Sequence, residues 1–304
     1  MNVLVLGGNG FIGSHVVDAL SFAGHRVRIF DRAEDRYQGR RDGVEYVIGS
    51  FNDVLLLSDA LTDIDVVFHS ISTTVPSTSN SDPAFDIQSN LVATVQLLNA
   101  MLVRGVKRIV YLSSGGTVYG QSNSELIAES HPLRPISSYG VVKVAIENYL
   151  YMYQQLHGMQ ATILRPANPY GERQGNLGLQ GVIGTFLCKL KRNEVIEIWG
   201  DGTVVRDFIY IGDLAEICRK SVEVGISGIF NVGGGRGYSI NEVLRCIATV
   251  TGRDPRPVYK QGRGFDVRRV VLDISLAEET FGWRPRTTLE QGVRLTSDWL
   301  QSGI

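Results

Sequence analysis

Apolar residues along this chain fall into short continuous runs separated by longer stretches in which they recur every three or four positions. Asn2 to Leu6 is such a run, rich in Val and Leu, as a strand buried on both faces requires. After GGNGFIG, the residues Val16, Val17, Leu20 and Phe22 of SHVVDALSFAGH keep helical spacing. A second run, RVRIF, ends at Asp31, and further strands are expected over Val44 to Ile48, Val66 to His69 and Ile109 to Ser113. Between the last two, Leu91, Val95, Leu98 and Leu102 share one side of a long helix predicted from Pro83 to about Arg104. This alternation predicts a parallel sheet with right-handed crossovers.

Composition narrows the class. A chain of 304 residues can bury a full core as one large domain or two closely joined ones. Its 30 basic residues almost match its 31 acidic ones, so neither nucleic acid nor a membrane surface is expected as partner. Cys188, Cys218 and Cys246 are odd in number and lack metal or redox spacing, which suits thiols in a reducing cytoplasm. His15, His25, His131 and His157 are scattered and His69 closes a strand, so no metal site is expected. The opening MNVLVLGG has no basic n-region and only a short apolar run, so neither signal peptide nor membrane span is expected.

Gly7, Gly10 and Gly13 give the spacing G-x-x-G-x-x-G between a strand and a helix. Such glycines allow a tight turn, close approach of backbone N–H groups to a pyrophosphate, and close helix packing. Asp31 follows about 20 residues on, as a dinucleotide fingerprint asks. An acid there binds ribose hydroxyls and repels a 2′-phosphate, which favours NAD over NADP. Arg32 beside it is either a phosphate partner or a solvated surface charge.

The segment YLSSGGTVYG and the later SSYGVVK carry the candidate chemistry. Tyr139 and Lys143 stand at i and i+4, one helical turn apart on the same side. A neighbouring ammonium favours phenolate over phenol, bringing a group with an ordinary pKa of about 10 toward the working range of an acid/base catalyst.

Taken in order, GGNGFIG, Asp31, Asn90 in NLVATVQLLNA, SSGGTVYG, YGVVK, LRPANPYG and WGDGTVVRDFIYIGDLAEI resemble the extended short-chain dehydrogenases/reductases. More narrowly, they resemble the NAD-dependent nucleotide-sugar epimerase/dehydratase family, and within it the UDP-hexose 4-epimerases. The resemblance implies a Rossmann-type doubly wound parallel sheet in an α/β fold, with a smaller C-terminal α/β substrate lobe. Residues 1–168 would hold NAD, with segments returning at about 206–235, and residues 169–304 would be mainly substrate-binding.

Carried onto this sequence, the family's catalytic pair falls on Tyr139 and Lys143, the lysine also binding the nicotinamide ribose. The expected cofactor site further includes Gly7, Gly10, Phe11, Ile12, Gly13, Asp31, Arg32, Ser50, Phe51, Ser70, Ile71, Asn90, Ser113 and Pro166. In the family a Ser or Thr four positions before the tyrosine of the VYG segment bonds the sugar hydroxyl; here that position is Gly115. Thr117 is the better substitute and Ser114 the other, while a structural threonine in the loop is an equally good reading of Thr117. Gly116 and Thr117 stand where dehydratases and decarboxylases carry acids, which disfavours both chemistries. At the adenine end Ser50 replaces a common Asp, with Phe51 expected to pack on the ring.

For the substrate, the resemblance points to Asn168, Trp199, Arg206, Arg263, Asp266 and Val270. The arginines fall at diphosphate-binding positions, where a guanidinium fork suits phosphate, although Arg206 could equally pair with Asp207. Val270 falls at a gate beside the hexose, where a valine leaves room for an N-acetyl group. The implied activity is NAD-dependent 4-epimerisation of a UDP-hexose, of glucose/galactose or N-acetylhexosamine type. A nucleotide-sugar 4-ketoreductase and a non-catalytic NAD-binding protein are the rivals. A homodimer through a four-helix bundle is implied as well, with Val92, Leu97 and Tyr149 as candidate interface residues.

Overall fold

The apolar runs become strands and the spaced series become helices. In chain order these are β1 (Asn2–Leu6), α1 (Phe11–Phe22), β2 (Arg26–Asp31), β3 (Val44–Ile48), α2 (Val54–Ala60) and β4 (Val66–His69). Then follow α3 (Pro83–Asp86), α4 (Ala93–Val103), β5 (Arg108–Leu112), α5 (Ser138–His157), β6 (Gln160–Pro166) and β7 (Asn168–Tyr170). The second half holds α6 (Val182–Lys191), β8 (Glu197–Trp199), β9 (Val205–Tyr210), α7 (Ile211–Val224), β10 (Gly228–Val232) and β11 (Gly237–Ser239). It closes with α8 (Ile240–Thr251), β12 (Val258–Lys260), β13 (Arg269–Val270), α9 (Ser275–Phe281) and α10 (Leu289–Ser302). The computed structural model describes residues 1–37, 39–174, 181–262 and 267–302.

Seven parallel strands form the central sheet in the order β10-β6-β5-β4-β1-β2-β3. Chain order reverses between β1 and β4, so a crevice opens beyond the carboxyl ends of those two strands. Both faces of the sheet are covered, which is why its strands read as continuous apolar runs. Val3, Val5 and Phe68 face one core with Val16, Val17 and Ile217, while Leu4, Leu6 and Val67 face another with Leu57, Leu97 and Ile146. Each such side chain is worth about 2 kcal/mol buried rather than exposed. Shifting any of these strands by one residue would exchange the two sets.

The smaller lobe has its own core, in which Ile183, Phe186, Val243, Ile247 and Val293 meet. It is built on a four-stranded sheet in which β9 pairs with β7, β11 and β13. The return to the larger sheet is therefore made by α7 and β10, whereas β9, at the start of the segment expected to return, stays in the smaller sheet.

The helix expected from Pro83 to Arg104 is interrupted. A π-helical turn, Ile87–Val92, separates α3 from α4. Within it the Asn90 side chain turns back to Thr73 and Asp86, and the Asn90 carbonyl accepts from the Thr94 hydroxyl at 2.6 Å. Apolar periodicity sees the continuous stripe but not these polar ties.

Candidate active site

The glycine segment forms the upper wall of the crevice. Gly7 has φ +82°, and a Cβ on Gly13 would lie 2.0 Å from the Gly7 carbonyl oxygen, so neither position accepts a side chain. Helix α1 starts at Gly10 with no side-chain cap, leaving its first N–H groups for an anion. At the end of β2, Asp31 accepts from the N–H groups of Asn9 at 3.0 Å and Ala33 at 3.3 Å. Burial raises its carboxyl above the usual range against those bonds. A pyrophosphate fits the bare turn and a ribose diol fits the carboxylate, so these residues suit a dinucleotide.

The crevice contains a cavity of about 500 Å³ running from Gly7 and Gly13 past Ser70 to Ser114, Thr117 and Tyr139. Helix α5 presents Tyr139 and Lys143 to it because Ser137 caps the helix by accepting from the Gly140 N–H at 3.3 Å. The Lys143 ammonium donates to the Leu112 carbonyl at 2.8 Å and lies over the rings of Tyr111 and Tyr139, 4.8 and 5.5 Å from their centroids. Burial lowers Lys143 to about 8, against the raising effects of Glu147 and Asp86.

The phenol of Tyr139 differs from expectation. Burial pushes it up to about 12, and the groups that pull it down are the hydroxyls of Ser72 and Ser114 rather than the lysine. The ammonium sits over the ring face, and desolvation outweighs it in the protein alone.

Gly115 is packed too tightly to be a simple loss of serine. Its N–H donates to the Pro166 carbonyl at 2.8 Å, and a Cβ there would meet Leu272 Cδ1 at 2.5 Å and the Arg165 carbonyl at 2.8 Å. Hydroxyls come instead from the neighbouring positions. Ser114 acts on Tyr139, while the Thr117 Oγ1 is buried on the cavity wall without a hydrogen-bond partner among the described residues. An orphaned hydroxyl there suits a hydroxyl-bearing ligand.

Other expected residues divide. Phe11, Ile12, Ser113, Pro166 and Asn168 line the cavity, and Ile71 packs close under Gly7. Asn90 does not: its side chain is spent on Thr73 and Asp86, so it shapes the wall behind Tyr139. Phe51 is buried in the core with its ring 5.2 Å from that of His69, which corrects the expectation that it packs on adenine. Ser50 accepts from the Asn52 N–H at 3.3 Å, and Arg32 follows β2 beside Asp31. Val270 is 4% exposed in a core of Val118, Tyr119 and Leu272 and does not line the cavity, which counts against the expected gate. Arg206 lies opposite it on β9, half-buried, and Trp199 on β8 is largely exposed. Neither of these two lines the cavity. Arg263 and Asp266 lie outside the described residues.

Sequence reasoning missed Ser72, Asp86 and Glu147. Ser72 stands in a polar stretch with no periodicity. Asp86 and Glu147 did leave a signal, each one turn from a residue already singled out, Asn90 and Lys143. Among the described residues no group of His, Cys, Asp and Glu could hold a metal ion.

The family model for the NAD dependent epimerase/dehydratase family matches residues 3–233. A UDP-glucose 4-epimerase of Mycolicibacterium smegmatis is 35% identical over 99% of this chain and 99% of its own. The solved structure of the Thermotoga maritima UDP-glucose 4-epimerase with UDP-glucose superposes with a TM-score of 0.94 at 35% identity, covering 100% of this chain and 99% of that one. A UDP-N-acetylglucosamine 4-epimerase from Methanobrevibacter ruminantium gives 0.92 at 30% identity, over 100% and 99%. With the bare glycine turn, the Tyr139–Lys143 pair and matches spanning its whole length, this chain belongs to the NAD dependent epimerase/dehydratase family.

Proposed function

We propose that this protein is an NAD-dependent nucleotide-sugar 4-epimerase acting on a UDP-hexose. The observation that carries the reading is the meeting of the Tyr139 phenol, two serine hydroxyls and an orphaned threonine hydroxyl on one cavity that begins at the glycine turn. UDP-sugar 4-epimerases of similar sequence and structure support it.

NAD, when bound in the crevice, supplies a reversible acceptor for the hydride at sugar carbon 4, with no net redox change. Tyr139 takes the proton of the carbon-4 hydroxyl and returns it to the same oxygen. Ser72 and Ser114 favour its phenolate, offsetting the burial that opposes ionisation. Lys143, fixed on the Leu112 carbonyl, holds positive charge beside both rings. Thr117 offers its hydroxyl to the sugar. Asp31 favours NAD over NADP, which weighs against an exchangeable NADPH-dependent reductase.

The reading also includes a homodimer. Val141, Tyr151, Met152 and Leu156 on α5 and Val103 on α4 are exposed apolar residues, and such a face suits pairing of these two helices with their copies. Leu97, expected there, is fully buried against the sheet and belongs to the core instead.

Product analysis with UDP-, GDP-, dTDP- and CDP-sugars tests the substrate class. Interconversion of UDP-glucose and UDP-galactose, or of their N-acetyl counterparts, without added reductant is expected. Net reduction of a 4-keto sugar at the expense of NADPH would replace the reading with a reductase.

A further inference from the structure

Behind Tyr139 and Lys143 lies a second, very small space, whose wall includes Ser72, Asp86, Asn90, Tyr111 and the two catalytic side chains themselves. Asp86 is the acidic residue in that wall, and its residue exposure is 0%. An isolated carboxylate in such a place costs several kcal/mol unless it is well bonded. Its bonds come from three separate segments. Thr74 donates to Oδ1 at 2.7 Å from the loop after β4, Asn90 donates to Oδ1 at 2.9 Å from the π-helical turn, and Ser138 donates to Oδ2 at 2.7 Å from the first turn of α5.

Two more bonds close the same seam. Ser79 Oγ accepts from the Tyr139 N–H at 3.1 Å, and Asn80 Oδ1 accepts from the Ser138 N–H at 2.8 Å. The loop that carries Ser72 to the phenol is thereby tied to the helix that carries the phenol. The π-helical turn also acquires a reason: it brings the Asn90 amide within reach of both Asp86 and Thr73.

We propose that Asp86 is a positioning residue for the Tyr139–Lys143 pair, joining the Ser72 loop, the π-helical turn and the start of α5 into one wall and facing the lysine ammonium with its charge. It lines the small space behind the pair and not the large cavity in front of it. The charged and titratable groups around Lys143 are Glu147 and Tyr139 on its own helix, Asp86 on α3, Tyr111 on β5 and His69 on β4. His69 is held neutral, its pKa driven to about 3 by burial, and Glu147 is engaged by Arg165 and Ser113. Asp86 and Glu147 are thus the two anions that support the ammonium, and both act to raise it.

The inference rests on the reading of Tyr139 and Lys143 as the reacting pair, so its test includes a measurement independent of turnover. Asp86→Asn keeps the shape and an acceptor oxygen while removing the charge. With lysine 13C-labelled at Cε, the Lys143 resonance, assigned by its loss in Lys143→Met, is expected to titrate about one pH unit lower in Asp86→Asn than in the wild type. In turnover of UDP-galactose, kcat is expected to fall about tenfold with KM unchanged, and the alkaline limb of the kcat profile to move to lower pH by the same amount. Asp86→Glu, which restores the charge, should return the Lys143 midpoint toward the wild-type value. A folded Asp86→Asn protein with an unshifted Lys143 midpoint overturns the proposal.

Should Asp86→Asn fail to fold, Ser138→Ala removes one of the ties and leaves the carboxylate. A lower kcat at unchanged KM supports the proposal, and an unchanged kcat overturns it. A wild-type protein that turns over no nucleotide sugar, in which Asp86→Asn still shifts Lys143, would sink the epimerase reading and leave this inference standing.

Discussion

Tyr139 sits where two opposing effects meet. Burial favours its neutral phenol strongly, and the Ser72 and Ser114 hydroxyls oppose it. An acid/base in such a site gains from every hydrogen bond to its charged form, each worth about 1.5–3 kcal/mol. Tyr139→Phe should therefore reduce kcat by at least about a hundredfold while leaving the melting temperature near that of the wild type. Ser114→Ala should cost about tenfold in kcat with KM little changed, whereas Thr117→Val should act mainly on KM. Equal kinetics for wild type and Ser114→Ala would show that the hydroxyl is structural. The helical spacing made Tyr139 and Lys143 legible in the sequence, because i and i+4 fix a side and a distance. Ser72 was not legible, since it reaches the phenol from a loop 67 residues earlier and no local spacing records that approach. Lys143 was placed on the right turn, but its desolvation and its seat on the Leu112 carbonyl are tertiary facts that helical spacing does not record.

At the scale of elements, helix α5 is anchored one turn beyond Lys143, at Glu147. Glu147 accepts from Arg165 Nε at 3.1 Å, from Arg165 Nη2 at 2.5 Å and from the Ser113 hydroxyl. Arg165 Nη1 also donates to the Tyr119 hydroxyl at 2.9 Å, and Tyr119 donates to Asn231 Oδ1 at 2.6 Å. This buried network pins α5 to the ends of β5, β6 and β10, so the turn carrying Tyr139 and Lys143 is held in register with the sheet. Breaking one partner of a buried ion pair strands the other, so Glu147→Gln should destabilise the fold by about 3 kcal/mol or more in urea unfolding. A loss under about 1 kcal/mol would show that the network is dispensable. Gly13 governs α1 in the same way: because a Cβ there would stand only 2.0 Å from the Gly7 carbonyl oxygen, Gly13→Ala should displace the helix start and release the cofactor on purification. The glycine turn and the first strands were readable because backbone needs there select residue types. The break in the 83–104 helix was not, since Asn90 and Thr94 divert the backbone by side-chain bonds that apolar periodicity ignores.

Over the whole molecule, the larger sheet supplies the cofactor crevice and the smaller lobe closes its far side through Asn168 and Pro169. The sheet was legible because strands buried on both faces leave a simple apolar signature. The smaller lobe was known only by resemblance, and there Val270, opposite Arg206 in register, packs into a core with Val118, Tyr119 and Leu272, a burial that no resemblance records. The exposed apolar face of α5 carries a consequence for assembly: light scattering should report a dimer, and Met152→Glu with Leu156→Glu should give a monomer. A wild-type monomer at every concentration would rule the dimer out. The most direct test of the central claim is product analysis of UDP-galactose incubated with purified protein and no added cofactor. UDP-glucose is expected from the wild type, none from Tyr139→Phe, and NAD should be released when either protein is denatured. A wild-type preparation that releases NAD yet epimerises no nucleotide sugar would contradict the claim.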